Sequence, residues 1–284
     1  MMNVKEKYLE LLKKSLLNEI YVENELRIFC LAEKKLLKKW SLIFGGIDFE
    51  KLHHIGKYFP EDLDTFKKNR FEGGLLTPGS RHLVYADTMI GRKRLLNIEH
   101  CLSVILEEKI LGDVIECGVW KGGATIFMKA YLDTYESTDR VVWLADSFEG
   151  VPESTLAQDK YSDLSRKAYP GLAIPKDDVV KNFEKYDVSL DHVQFLEGWF
   201  KDTLPDAPID KLALLRLDGD LYESTMDALQ SLYHKLSPGG FIIIDDYKAL
   251  PQCEEAVQEF RLQNTITEPI QKIDSEAVFW RKKF

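Results

Sequence analysis

Asp218 follows the apolar run 212 to 217 (LALLRL), and Asp245 and Asp246 follow the apolar run 241 to 244 (FIII). Strands that flank one crossover are usually neighbours in a parallel sheet, so the three carboxylates are expected to converge at one sheet edge. Crowded carboxylates repel unless a cation or a proton holds them. Oxygen ligands with no His or Cys beside them select Mg2+, Mn2+ or Ca2+ over zinc. Asp245-Asp246 taken alone is also a common polar strand terminus, whereas the three together point to a divalent ion. Such an ion lowers the pKa of a coordinated hydroxyl and orients its oxygen, and a nearby carboxylate then takes the proton. Asp218 is the candidate for metal ligand and base together.

A second constellation closes the run 113 to 117 with Glu116-Cys117-Gly118-Val119-Trp120-Lys121-Gly122-Gly123. Gly118 and Gly122 permit a tight turn and a close backbone approach, and the helix that follows offers free N–H donors. The spacing is neither GxGxxG nor a P-loop. Glu116 would repel a dinucleotide pyrophosphate, which disfavours a nicotinamide oxidoreductase and favours a cationic, phosphate-free cofactor such as S-adenosylmethionine. Asp146, in ADSFEG, stands at the end of the next run, where an acid can accept both hydroxyl protons of a ribose. Asp146-Ser147 as a simple turn cap is the plain alternative. Phe148 is expected to flank the adenine. The six histidines form no HExxH pattern, and His82, beside the pre-domain loop, is the one to watch. GxSxG is absent.

These residues need strands to carry them. Runs at 113–117, 141–145, 193–196, 212–217, 241–245 and 277–280 alternate with helical patterns near 122–134, 176–186, 222–236 and 252–263. Consecutive apolar residues suit strands covered on both faces, so a doubly wound α/β domain follows, with a helical N-terminal extension. In that extension, periodicity predicts helices from Val4 to Ile20 and from about Glu25 to Phe44. The lysines 34, 35, 38 and 39 form a solvated face, and Gly45-Gly46 ends the second helix. Residues 59 to 81, rich in Pro, Gly and charge, read as a linker or mobile loop. The segment from Pro152 to Pro175 has the length of a lid.

With 47 acidic against 38 basic residues the net charge is −9, which argues against a general nucleic-acid surface. The four cysteines form no CxxC pair, so neither zinc nor a disulfide framework is indicated. No apolar run approaches the roughly 20 residues that span a bilayer. The opening MMNVKEKYLELLKK has no signal-peptide core, so a cytoplasmic protein without a membrane partner is expected.

The blocks DTMIGRKRLLNIEHC (87–101), IECGVWKGGATIFMKAYL (115–132), VWLADSFEGVP (142–152), LRLDGDLYESTMDAL (215–229) and LSPGGFIIIDDYKALPQC (236–253) closely resemble the macrocin and mycinamicin III O-methyltransferase family. The likeness runs from about Asp87 onward and includes the opening YLELLKKSLLNEIY, while residues 27 to 71 have no evident family counterpart. It implies a Rossmann-like class I methyltransferase fold of seven strands, the last antiparallel. It also implies S-adenosylmethionine, Mg2+, a sugar-containing acceptor and a homo-oligomer. On this resemblance Glu116, Gly118, Gly122, Asp146, Ser147 and Trp199 belong to the donor site. Asp218, Asp245 and Asp246 are then the metal ligands, Asp218 the base, and Met89 and Glu149 acceptor contacts. Residues 1–80 are read as a helical extension forming the lid and oligomer region, and 81–284 as the methyltransferase domain. A catechol-like diol is the competing acceptor, and a non-catalytic donor-binding protein the competing class.

Overall fold

A computed structural model describes residues 2–37, 46–73, 85–137, 139–153, 156–160 and 162–283. His82, the lysines 38 and 39 and Gly45 lie outside the described residues. Five apolar runs form the parallel part of one sheet: β1 (Asp113–Cys117), β2 (Val142–Asp146), β3 (Val193–Glu197), β4 (Leu212–Leu217) and β5 (Leu236–Ile244). β6 (Gln271–Lys272) and β7 (Val278–Arg281) complete seven strands in the order β3-β2-β1-β4-β5-β7-β6. β7 is antiparallel to both β5 and β6. β4 is buried at all six positions, as a central strand between two helical layers must be.

On one face, α1 (Val4–Leu16), α6 (Arg92–Glu107), α7 (Gly123–Thr134) and α8 (Lys176–Lys185) close a core around Val114, Leu144, Leu214 and Ile243. On the other, α10 (Tyr222–Leu232) and α11 (Pro251–Gln263) cover Ile115, Leu215, Leu217 and Ile242, and the short α9 (Phe200–Thr203) sits beside α10. α1 is part of the main core through Leu9, Leu12 and Leu16, joined by Leu17 just past its end. A third cluster joins Leu26 and Cys30 of α2 (Val22–Ala32), Ile55 of α4 (Ile55–Tyr58), and Leu63 and Phe66 of α5 (Pro60–Glu72), with the short α3 (Phe49–His53) preceding α4.

Three expectations need correction. α1 stops at Leu16, four residues short of Ile20, and Asn18 follows at φ 55°. The second helix ends at Ala32, where Lys34 turns at φ 56°; Lys35 then pairs with Asp62 at 3.1 Å over the Phe29 ring. Residues 60 to 72 are a helix, and not a linker. Pro60 opens it at a position that needs no N–H, Glu61 and Asp62 suit its positive end, and its buried side includes Asn69 and Arg70. Arg70 is hydrogen-bonded to the buried Glu25 of α2, so the inner face of α5 is partly polar and escapes an apolar-period reading. All four cysteines are buried free thiols, and no described helix is long and apolar enough to cross a membrane.

Candidate active site

The strand order reverses between β1 and β4, and ligands of open α/β sheets bind at such a switch, beyond the strands' carboxyl ends. There the backbones touch. Gly118 adopts φ 90°, and a Cβ on it would lie 1.9 Å from the Asp218 carbonyl oxygen, so only glycine fits. Its N–H donates to Ala145 O at 2.9 Å, and the Asp218 N–H donates to Cys117 O at 2.8 Å. Gly122 opens α7 at φ 85°, where a Cβ would strike Val179 at 2.9 Å.

Glu116 is buried behind this turn. Its Oε1 accepts from Arg216 at 2.6 Å, and its Oε2 accepts from the Thr125 hydroxyl. Burial pushes its carboxyl up to about 7 against the opposing pull of Arg216 and Thr125. Asp146 pins the turn from the neighbouring strand: Oδ2 accepts from Val119 N–H at 2.6 Å and Oδ1 from Phe148 N–H at 2.7 Å. Burial raises its carboxyl, and backbone N–H groups oppose the rise. Ser147 donates its hydroxyl to Gly150 O at 2.8 Å.

The acids at β4 and β5 meet across one strand pairing. Single carboxylate oxygens of Asp218, Asp220 and Asp246 lie within 4.8 Å of one another. Oδ2 of Asp246 is buried without a hydrogen-bond partner, and burial together with Asp218 and Asp220 pushes its carboxyl well above the ordinary range. Burial, then Asp218 and Asp245, lift Asp220 to about 8; burial and Asp245 raise Asp218 too, although Arg216 donates to its Oδ2 at 3.0 Å. Mutually repelling carboxylates with one buried oxygen left unpartnered suit a hard divalent cation. Asp245 is placed differently, since its two oxygens accept from Arg216 and Arg94.

A cavity of about 940 Å³ joins the two constellations, with Gly118, Asp146, Ser147, Asp218, Asp220, Asp245, Asp246, Met89 and Trp199 all on its wall. Trp120, Tyr169, Leu172 and Phe200 give it apolar surface. Glu116, Gly122 and Glu149 are off that wall: Glu116 lies beneath it, Gly122 shapes the turn, and Glu149 is exposed. Phe148, expected beside an adenine, is buried in the core and packs on Phe195 at 6.0 Å. The sequence reading missed Asp220, although the spacing Asp-Gly-Asp just past a buried strand was a legible signal. It also missed Arg94 and Arg216, the latter visible as one charge inside LALLRL. The segment from Pro152 to Pro175 contributes to the cavity wall. Leu164, Tyr169, Gly171 and Leu172 line it, and the Trp120 indole donates to Gly171 O at 2.9 Å.

A family model described as macrocin O-methyltransferase (TylF) matches residues 5–282. The chain belongs to this family. The match spans residues 27 to 71, which the sequence alone left without an evident family counterpart. A Streptomyces olivaceus enzyme named 8-demethyl-8-(2,3-dimethoxy-alpha-L-rhamnosyl)-tetracenomycin-C 4'-O-methyltransferase is 50% identical over 200 residues, 69% of this chain and 76% of its own. The mycinamicin III 3''-O-methyltransferase of Micromonospora griseorubida is 46% identical over 209 residues, 72% of this chain and 82% of its own. The solved O-methyltransferase NovP, 37% identical, superposes with a TM-score of 0.77 over 99% of this chain and 100% of its own. Fold and family together make the protein a class I, S-adenosylmethionine-dependent O-methyltransferase.

Proposed function

We propose that this family member methylates a hydroxyl of a sugar carried by a natural-product glycoside, with Mg2+ as the metal. The observation that carries the reading is the acid cluster of Asp218, Asp220 and Asp246, with its orphaned Asp246 oxygen, on the wall of the same cavity as Gly118 and Asp146. The tetracenomycin and mycinamicin relatives support the class of acceptor, the former by the rhamnosyl group in its name.

In this mechanism Asp146 and Ser147 hold the donor's ribose, Trp199 packs against its adenosine side, and Gly118 lets the backbone approach it. Glu116, beneath the turn, keeps that backbone in place. S-adenosylmethionine supplies the methyl group, and Mg2+ would supply positive charge that acidifies and orients the acceptor hydroxyl. Asp218 and Asp246 would hold the metal, and Asp220 completes the set. The geometry favours dividing the two roles read into Asp218: that residue is held by Arg216 and serves as ligand, while Asp220, on the same cavity wall, is the proton acceptor. Met89 bounds the acceptor side of the cavity, and the exposed Glu149, next to Gly150 of its wall, is the other acceptor contact. The exposed Val4, Leu11, Ile20, Tyr21 and Ile28 of the N-terminal segment support a homo-oligomer built through it.

The test is a panel of sugar-hydroxyl glycosides and of catechols, incubated with S-adenosylmethionine and Mg2+ or EDTA, with methylation read by mass spectrometry. Methylated glycosides that disappear with EDTA are expected. Methylation of catechols alone, or turnover undiminished by EDTA, overturns the acceptor or the metal reading respectively. No transfer to any acceptor despite tight donor binding restores the non-catalytic alternative.

A further inference from the structure

The stretch 86–89 belongs to no helix or strand, yet Ala86, Asp87 and Thr88 are buried, and Met89 stands on the cavity wall. Buried irregular backbone needs specific partners. Here they come from three sides. The Asp87 N–H donates to Leu16 O, at the end of α1, at 2.8 Å. The Asp87 Oδ2 accepts from the Lys185 ammonium and from the Tyr186 hydroxyl, both at 2.5 Å. The third side is the turn at 118–123. Lys121 Nζ donates to Ala86 O at 3.0 Å, and a Cβ on Gly123 would lie 2.3 Å from Asp87 O and 2.7 Å from Thr88 Cβ. α8 grips that turn as well, since Asn182 Nδ2 donates to Lys121 O at 2.9 Å. Asn182, Lys185 and the capping Tyr186 recur at i, i+3 and i+4, so they share one helix face. That face holds the turn after β1 with one residue and the stretch carrying Met89 with two. Asp87 itself is off the cavity wall, so its carboxylate acts on the site through this clamp.

We infer that Asp87, Asn182 and Tyr186 are positioning residues that join the donor turn to the acceptor-side wall, so that a donor bound at the turn also fixes the stretch carrying Met89. Surfaces packed backbone against backbone and gripped by one helix face open together. A ligand that suppresses the opening of one therefore suppresses the opening of the other. The wall that meets the acceptor takes its working shape when the donor is in place. The inference rests on the donor-site reading of Gly118 and Asp146 above.

The experiment is amide hydrogen exchange of the full chain, read by mass spectrometry with and without saturating S-adenosylhomocysteine, alongside S-adenosylhomocysteine affinity. In the parent, the ligand is expected to slow exchange across 116–123 and, by about fivefold or more, across 86–90, the low end of coupling between sites. Exchange at 116–123 that ignores the ligand rejects the donor-site reading, and the inference falls with it. Protection at 116–123 with 86–90 unchanged rejects the inference alone. In Asp87→Asn combined with Tyr186→Phe, donor affinity and the response at 116–123 persist, while 86–90 exchanges at one rate with and without the ligand. A purely structural role would instead speed exchange equally in both states and keep the parent's ratio at 86–90, which overturns the inference. Tyr186→Phe alone deletes one hydroxyl and keeps the ring, so it carries the test should the pair not fold. It is expected to weaken the response at 86–90, and a response equal to the parent's overturns the positioning role.

Discussion

Glu116 shows how one side chain serves the site from below. Its folded carboxyl, near 7, lies above its ordinary 4.5, so the folded chain holds a proton that the unfolded chain has released across that window. The associated stability is present below the window and lost as pH rises through it. Relative to the parent, Glu116→Gln is therefore expected to gain stability between pH 5 and pH 8, by on the order of 3 kcal/mol at most. Urea unfolding at both pH values checks this, and an offset equal at both contradicts it. Asp146 has a different duty. Asp146→Ala should weaken S-adenosylhomocysteine by at least about tenfold, the worth of a hydrogen bond to a charged group. It should also loosen the turn that Asp146 pins through Val119 and Phe148. Calorimetry that finds donor affinity intact would remove Asp146 from the ribose. At this scale the sequence speaks for residues at strand ends, where alternation and topology place them. It is weaker in the turns beyond them: Asp220, at φ 59°, went unread despite its Asp-Gly-Asp spacing, and Phe148, at φ 56°, lies in the core and not beside an adenine.

The strands were legible because burial on both faces writes continuous apolar runs, and β4 matches its run residue for residue. β6, two exposed residues, has no such pattern and was invisible. α5 was misread because its inner face carries Asn69 and Arg70 as well as Leu63 and Phe66. Tertiary pairing with Glu25 makes that face buriable, which local periodicity cannot report. The link between the segment that follows Pro152 and α10 was equally hidden. Asp159, buried at 4% exposure, accepts from the N–H groups of Tyr222 at 2.7 Å and Glu223 at 3.2 Å, capping α10 from a distant loop. Asp159→Ala should cost about 1 kcal/mol, a typical helix cap. It should also speed proteolytic cleavage within 156 to 175, a rate that S-adenosylhomocysteine slows in the parent. Cleavage no faster than in the parent would deny the loop this anchor.

For the whole molecule, donor binding is a stability measurement. At about 100 times its dissociation constant, S-adenosylhomocysteine adds roughly 2.7 kcal/mol. For a chain of 284 residues this moves the unfolding midpoint by several degrees, roughly 2 to 4 °C per kcal/mol. NAD should move it by none, since Glu116 and the missing GxGxxG disfavour a pyrophosphate. A shift with NAD alone would contradict the donor assignment.

β7 lies between β5 and β6, although β6 precedes it in the chain. Until it pairs Val278 with Ile244 and Arg281 with Phe241, the flank of β5 that ends in the site's acids is an open apolar edge. Any state in which β7 is detached therefore exposes a strand edge beside a site that is otherwise complete, and such a state is expected to associate with other copies before the site itself is lost.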